Sequence, residues 1–330
     1  MNTFGRNFKV SIFGESHGPM VGITIDGCNP GIDIAESDFT EMLQRRRGGV
    51  IEGTTSRSEL DLPIFASGVF NGKTTGAPLT IQFLNQDKHS SDYEAFKKIP
   101  RPGHADFVAT HKFKGFEDFR GGGHFSGRMT VCLVAAGVVA QKQLNQILKI
   151  DEPVSISSKI EEIGGYTNVE EGIRFAIQNN DSVGGIVSCE VTNLPIGIGE
   201  PFFDSVESVL SHAVFSIPAI KGIEFGSGFS AAKMTGSQHN DSILSSNGKT
   251  ETNHAGGISG GITNGNPLRF RVVVKPTSST PKEQKSLNKE SGMQEHFVVQ
   301  GRHDLCIALR VPPVLEAVTS LALADLIMSM

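Results

Sequence analysis

Residues 129–148, MTVCLVAAGVVAQKQLNQIL, are apolar nearly all round as far as Ala140. A helix without a polar face cannot lie on a water-exposed surface, so the rest of the chain must enclose this one. Its small residues allow neighbouring elements to come close. The segment just before it, Arg101 to Thr130, reads RPGHADFVATHKFKGFEDFRGGGHFSGRMT and holds the densest chemistry in the chain. His104, His111, His124, Arg101, Arg120 and Arg128 surround the triple glycine Gly121-Gly122-Gly123. Glycines let a backbone approach a ligand, arginines donate hydrogen bonds, and histidine carries a proton that moves near neutral pH. The pattern points to an anion site anchored on a core helix.

At 330 residues the chain can bury a sizeable core. A net charge of −5 excludes a general nucleic-acid binder, which needs a basic field, so any anion site must concentrate basic residues locally. Cys28, Cys132, Cys189 and Cys306 are far apart and form no CxxC pair, which leaves reduced thiols rather than a zinc or redox motif. No signal-peptide pattern opens the chain, and no apolar run is read as reaching roughly 18 residues. The expectation is a cytoplasmic protein with no membrane and no nucleic-acid partner.

Strands are expected at residues 9–14, 21–26, 79–84, 154–160, 185–192, 220–225 and 268–274, from their apolar alternation. Residues 64–70 followed by Asn71-Gly72 carry a two-residue hairpin signature. Helices are expected at 37–47, 169–178, 205–214 and, after Pro312-Pro313, at 314–328. Residues 85–100 read as loop, and 242–253 as a polar, mobile one. Gly76 to Phe83 (GAPLTIQF) echoes Gly265 to Val272 (GNPLRFRV), each a turn opening an alternating strand. The echo favours one intertwined domain, 1–330, with two related sheets.

Several motifs have two readings. His17, in Gly14-Glu15-Ser16-His17-Gly18, is either a polar turn residue or a site residue. Arg45, Arg46 and Arg47 either complement a helix C-terminus or reach an anion past Gly48-Gly49. Lys275-Pro276-Thr277-Ser278-Ser279 is either a phosphate cradle after a strand or an ordinary Ser/Thr turn. Gly226-Ser227-Gly228-Phe229-Ser230-Ala231 matches GxGxxA, but no convincing helix follows, so a dinucleotide site is rejected. The ten histidines show no HExxH and no cysteine partners, which argues against a metal site. A GxSxG hydrolase elbow is absent. Acid–base work on an anion remains.

Seven segments in order carry a family resemblance: GESHG (14–18), RRR (45–47), RPGHAD (101–106), FRGGG (119–123), NHAGGISGGITNG (253–265), KPTSS (275–279) and GRHD (301–304). Together they resemble the chorismate synthase family from end to end. The resemblance implies an α+β fold, a β-α-β sandwich with internal duplication and antiparallel-rich sheets around central helices. It implies an anti 1,4-elimination of phosphate from 5-enolpyruvylshikimate 3-phosphate, with reduced FMN and no net redox change. The flavin would be reduced by an external NADPH-dependent reductase, and the assembly would be a homotetramer.

By the same resemblance His17 protonates the leaving phosphate, His104 holds or protonates the reduced flavin, and Asp304 helps remove the C6 proton. Arg46 and Arg128 match anion-binding positions. Ser126, Ala219, Gly260, Lys275, Thr277, Ser278, Ser279 and Arg302 match flavin-contacting positions. The chain departs from the family's RSSARET at His124-Phe125-Ser126-Gly127-Arg128-Met129-Thr130, and has Gly48, Glu52 and Leu305 where proline, arginine and proline are usual. A histidine in place of an always-charged arginine predicts weaker FMN retention, with His124→Arg tightening it. The altered segment also leaves open a diverged flavin- or phosphometabolite-binding protein with weak or lost activity.

Overall fold

The computed structural model describes residues 2–49, 51–87, 93–150, 152–299, 301 and 303–330. The chain begins with β1 (Thr3–Phe4), β2 (Lys9–Gly14) and β3 (Met20–Asp26), then α1 (Thr40–Arg46). β4 (Ile64–Ser67), the small hairpin β5 (Val69–Phe70) and β6 (Lys73–Thr74), and β7 (Leu79–Leu84) follow. Three helices come next, α2 (Glu94–Lys98), α3 (Asp106–Phe113) and the long α4 (Thr130–Leu148). The second half runs β8 (Ser155–Ile163), α5 (Val169–Gln178), β9 (Gly185–Thr192), α6 (Val206–Val214), β10 (Ile220–Phe225) and α7 (Gly236–His239). It ends with β11 (Ile258–Ser259), β12 (Ile262–Thr263), β13 (Leu268–Val274), β14 (Gln284–Leu287), β15 (Gln294–Phe297) and α8 (Val311–Ile327).

Two larger antiparallel sheets form, in the orders β1-β2-β3-β7-β4 and β10-β13-β9-β8. α4 and α8 pack against each other between them, α4 touching β3 and β7 and α8 touching β8 and β9. This is the β-α-β sandwich expected. β13 shows why the layers form: Leu268, Phe270, Val272 and Val274 point inward and are buried, while Arg269 and Arg271 face out and pair with Glu190 and Glu224. The two echoing octets are β7 and β13 with their leading turns, each strand next to the end of its sheet and each opened by a glycine in the left-handed region, Gly76 and Gly265.

α4 is enclosed as its sequence requires, and Gly137 is where it meets α8 most closely. A Cβ there would stand 2.4 Å from Cα of Ala317. The segments Gly127–Leu148 and Ile307–Ile327 are both long and apolar enough to cross a membrane, longer than the sequence reading allowed; both are mostly buried in the fold's own core. α8 starts at Val311, ahead of the expected 314, because Pro312 and Pro313 fit a first turn whose amides need no intrahelical partner. Three helices were not expected, the four-residue α7 after Gly226-Ser227-Gly228 among them. α2 lies within the expected loop 85–100, and α3 within the 101–130 stretch. The 242–253 segment is held by an Ile243–Thr250 bridge and by Thr252 donating to Asp241 at 2.7 Å.

Two buried carboxylates lock the parts that frame the site. Glu316 on α8 accepts both Arg45 nitrogens at 2.7 Å and the Ser158 hydroxyl at 2.6 Å, so α1 and β8 are fixed to the central layer. Asp325 accepts the backbone amides of Arg6, Asn7 and Phe8 at 2.7, 2.7 and 3.0 Å, pinning the first turn beside β2.

Candidate active site

α1 ends where Arg46 points inward, and α4 begins just after Arg128. Both guanidiniums converge on Asp61, Arg46 at 2.7 Å and Arg128 in a shorter contact, with all three side chains almost completely buried. Asp61 has a left-handed backbone, φ 52°, uncommon for a residue with a side chain and found where surrounding structure enforces it. Burial would raise its carboxyl, but Arg46 and Arg128 outweigh that and hold it below the usual range. Burial, opposed by Asp61, lowers the Arg46 guanidinium from its ordinary value. Two arginines on one carboxylate leave an excess positive charge, and the Arg46 Nε has no partner.

The triple glycine follows from the backbone it must adopt. Gly121, Gly122 and Gly123 have φ of 62°, 79° and 54°. A Cβ on Gly121 would lie 2.3 Å from Cδ2 of His17; one on Gly122 would lie 3.3 Å from Nε2 of His104; one on Gly123 would lie 2.0 Å from the Asp118 carbonyl. The bare loop is therefore what lets the His17 and His104 rings pack on adjacent residues. Ser16 donates its amide to Gly123 at 3.1 Å, and Arg57 donates to the Ser16 hydroxyl at 2.8 Å.

These groups surround a cavity of about 350 Å³, within the size range of small-molecule sites. Its lining carries seven basic side chains, Arg46, Arg47, Arg57, Arg101, Arg128, Lys275 and Arg310, against three acidic ones, Glu59, Asp61 and Asp304. In a chain with net charge −5 this is the local basic field the sequence required. An anionic ligand fits it.

On the cradle side, Lys275 Nζ donates to the Ser278 hydroxyl at 2.6 Å and the Gly103 carbonyl at 3.1 Å; burial, then Lys221, lowers its pKa. Ser279 Oγ accepts from Arg101 at 2.9 Å. The Thr277 hydroxyl is buried without a partner beside the cavity. Ala219 takes φ 74°, another strained residue, and its carbonyl accepts the Lys275 amide at 2.9 Å. Asp304 accepts the Thr55 amide at 2.9 Å and Arg310 at 3.1 Å.

Of the residues marked from sequence, His104, Asp304, Arg46, Arg128, Ser126, Ala219, Lys275, Thr277, Ser278 and Ser279 line this one cavity. His17 is one layer back, buried against Gly121 and edge-on to Tyr93 at 5.1 Å, both of which line it. Gly260 does not join them. It sits between β11 and β12 at φ 62°, so the hairpin turn itself accounts for the glycine. Arg302 lies outside the described residues. His124 also faces elsewhere, into a neighbouring cavity, with Nδ1 2.8 Å from the Gly14 carbonyl and Nε2 3.2 Å from Asn2 Oδ1. That neighbouring cavity shares His104, Ala105 and Phe125 with the basic one. Leu305 has its own reason, since its amide donates to Gly53 at 2.8 Å and proline could not.

Sequence reasoning missed Asp61, Arg57, Tyr93 and Arg310, which belong to no recognisable motif. The full chain nevertheless matches known proteins. Residues 8–328 match the family described as chorismate synthase. A chorismate synthase of Chitinophaga pinensis is 63% identical, over 98% of this chain and 96% of its own length. One from Korarchaeum cryptofilum is 42% identical over 98% and 97%. A solved structure titled as chorismate synthase superposes with TM-score 0.72 at 25% identity, covering 98% of this chain and 92% of the other. The chain therefore belongs to the chorismate synthase family, and with it to the lyases of the shikimate pathway.

Proposed function

We propose that this chain eliminates phosphate from 5-enolpyruvylshikimate 3-phosphate to give chorismate, with reduced FMN as cofactor. The observation that carries this is the convergence of ten sequence-marked residues on one basic cavity. The residues present suit a flavin phosphate and a polar ring system. Thr277 Oγ1 and Arg46 Nε are buried polar atoms lacking partners, and Lys275, Ser278 and Gly103 form a ready cradle. When bound, reduced flavin supplies electron density to the allylic system as phosphate leaves.

The protein's part is to bind, orient and move protons. Arg46 and Arg128, both held by Asp61, grip the substrate's anionic groups. His17 delivers a proton to the departing phosphate, a task that suits imidazole because its proton moves near neutral pH. His104 holds the reduced cofactor. Asp304, oriented by the Thr55 amide and Arg310, takes up the proton leaving C6. Ser126, Ala219 and Ser279 complete the cofactor wall.

An external NADPH-dependent system reduces the FMN in this proposal. A homotetramer and a cytoplasmic location are proposed with it. Under anaerobic conditions with reduced FMN, His17→Ala and His104→Ala should each lower kcat by roughly 10²-fold or more. Unchanged chorismate formation in either variant would overturn that residue's role.

A further inference from the structure

His104 Nδ1 stands 2.5 Å from Asp106 Oδ1. The same carboxylate accepts Arg101 Nη2 at 2.8 Å on Oδ1, and Arg101 Nε at 2.8 Å and the Arg101 amide at 3.0 Å on Oδ2. Arg101 is itself sandwiched, its guanidinium 4.5 Å from the Phe96 ring centre and its Nη1 on Ser279. Arg101 Nη2 is 3.1 and 3.3 Å from the two nitrogens of His104, nearly equidistant, so it singles out neither as its partner.

A bare lone pair on Nδ1 would face an anionic oxygen at this separation and be repelled, whereas an Nδ1–H makes a charge-assisted hydrogen bond. Asp106 remains ionised to receive it. Burial acts to raise its carboxyl, but the hydrogen bonds from Arg101 and His104 outweigh that and hold it well below the usual range. On the other side, Gly122 leaves open the space that a Cβ would close to 3.3 Å from Nε2.

We infer that Asp106 is a positioning residue: it fixes His104 with the proton on Nδ1 and leaves Nε2 as the nitrogen offered to the cofactor. This deepens the function proposed above and rests on it for its consequence, though the tautomer itself does not. Asp106 touches neither substrate nor cofactor in this account. It acts through the ring it orients.

Long-range 1H–15N NMR on the flavin-free protein, with His104 assigned by its loss in His104→Gln, reads the proton directly. Nδ1 should carry a proton from about pH 5 to 9, on both sides of the ordinary histidine value of about 6.5. In Asp106→Asn the amide can still accept from Arg101 but can turn its NH2 toward Nδ1. That variant should shift His104 to the Nε2–H form and lower kcat by roughly 10²-fold while leaving KM within about 3-fold. A wild-type neutral ring protonated on Nε2 alone would overturn the inference. So would an Asp106→Asn protein that keeps both Nδ1–H and full kcat. If Asp106→Asn fails to fold, the wild-type tautomer decides alone. Nδ1–H in a protein that forms no chorismate would remove the proposed function and leave the positioning intact.

Discussion

At the scale of single residues, Asp61 holds the most consequential position, and Gly121 is the glycine that bears most directly on His17. Asp61→Asn would leave Arg46 and Arg128 buried without their shared counter-charge, and should cost about 3–5 kcal/mol in urea denaturation at neutral pH. Because its folded pKa lies below the unfolded value, Asp61 contributes stability above the unfolded carboxylate range near pH 4. That contribution is lost as pH falls through the folded value, so the wild type and Asp61→Asn should converge in acid. A variant as stable as wild type at pH 7 would show that the pair is not the keystone of the site. Gly121→Ala drives a methyl group to within 2.3 Å of His17 and should lower kcat by roughly 10²-fold with α4 and the sheets intact by circular dichroism. Gly121 was visible in the sequence as part of a glycine run, but Asp61 was not. An aspartate between Leu60 and Leu62 carries no local sign that two arginines 15 and 67 residues away will meet on it.

Among the elements, legibility tracked the strength of the apolar pattern. The bounds expected for α4, α5, β7, β9 and β13 match almost to the residue, because α4 is apolar nearly all round as far as Ala140, α5 buries one face at Ile173 and Ala176, and the three strands alternate cleanly across a sheet face. α3 escaped because Phe107, Val108 and Phe113 are exposed and only Ala109 is buried, so no apolar stripe announces a helix. α2 has a single buried residue, Phe96, and that residue serves Arg101 as well as the core. The contact between α4 and α8 is the testable joint. Gly137→Ala would place a methyl group 2.4 Å from Ala317 and should destabilise the fold by about 1–3 kcal/mol in thermal or urea denaturation. Turnover at temperatures below unfolding should survive it, because Gly137 does not line the cavity. Loss of activity without loss of stability would mean that the central layer governs the site more directly than its packing implies.

For the molecule as a whole, the two sheets and the central layer bring together segments from residue 46 to residue 310 around one chamber. Nothing local in the sequence measures such distances, which is why the motifs could be seen while Arg57, Tyr93 and Arg310 could not. Ten of the residues marked by the resemblance line the chamber; Gly260 instead sits in a hairpin turn, and His124 lies in a neighbouring cavity against the Gly14 carbonyl. The basic chamber is proposed to perform an elimination needing reduced flavin rather than a simple phosphate hydrolysis. An anaerobic assay of the wild-type chain with 5-enolpyruvylshikimate 3-phosphate, with and without reduced FMN, measures that directly. Phosphate and chorismate should appear together, in equal amounts, and only when reduced FMN is present. Phosphate released without the flavin, or no chorismate in its presence, would contradict the account.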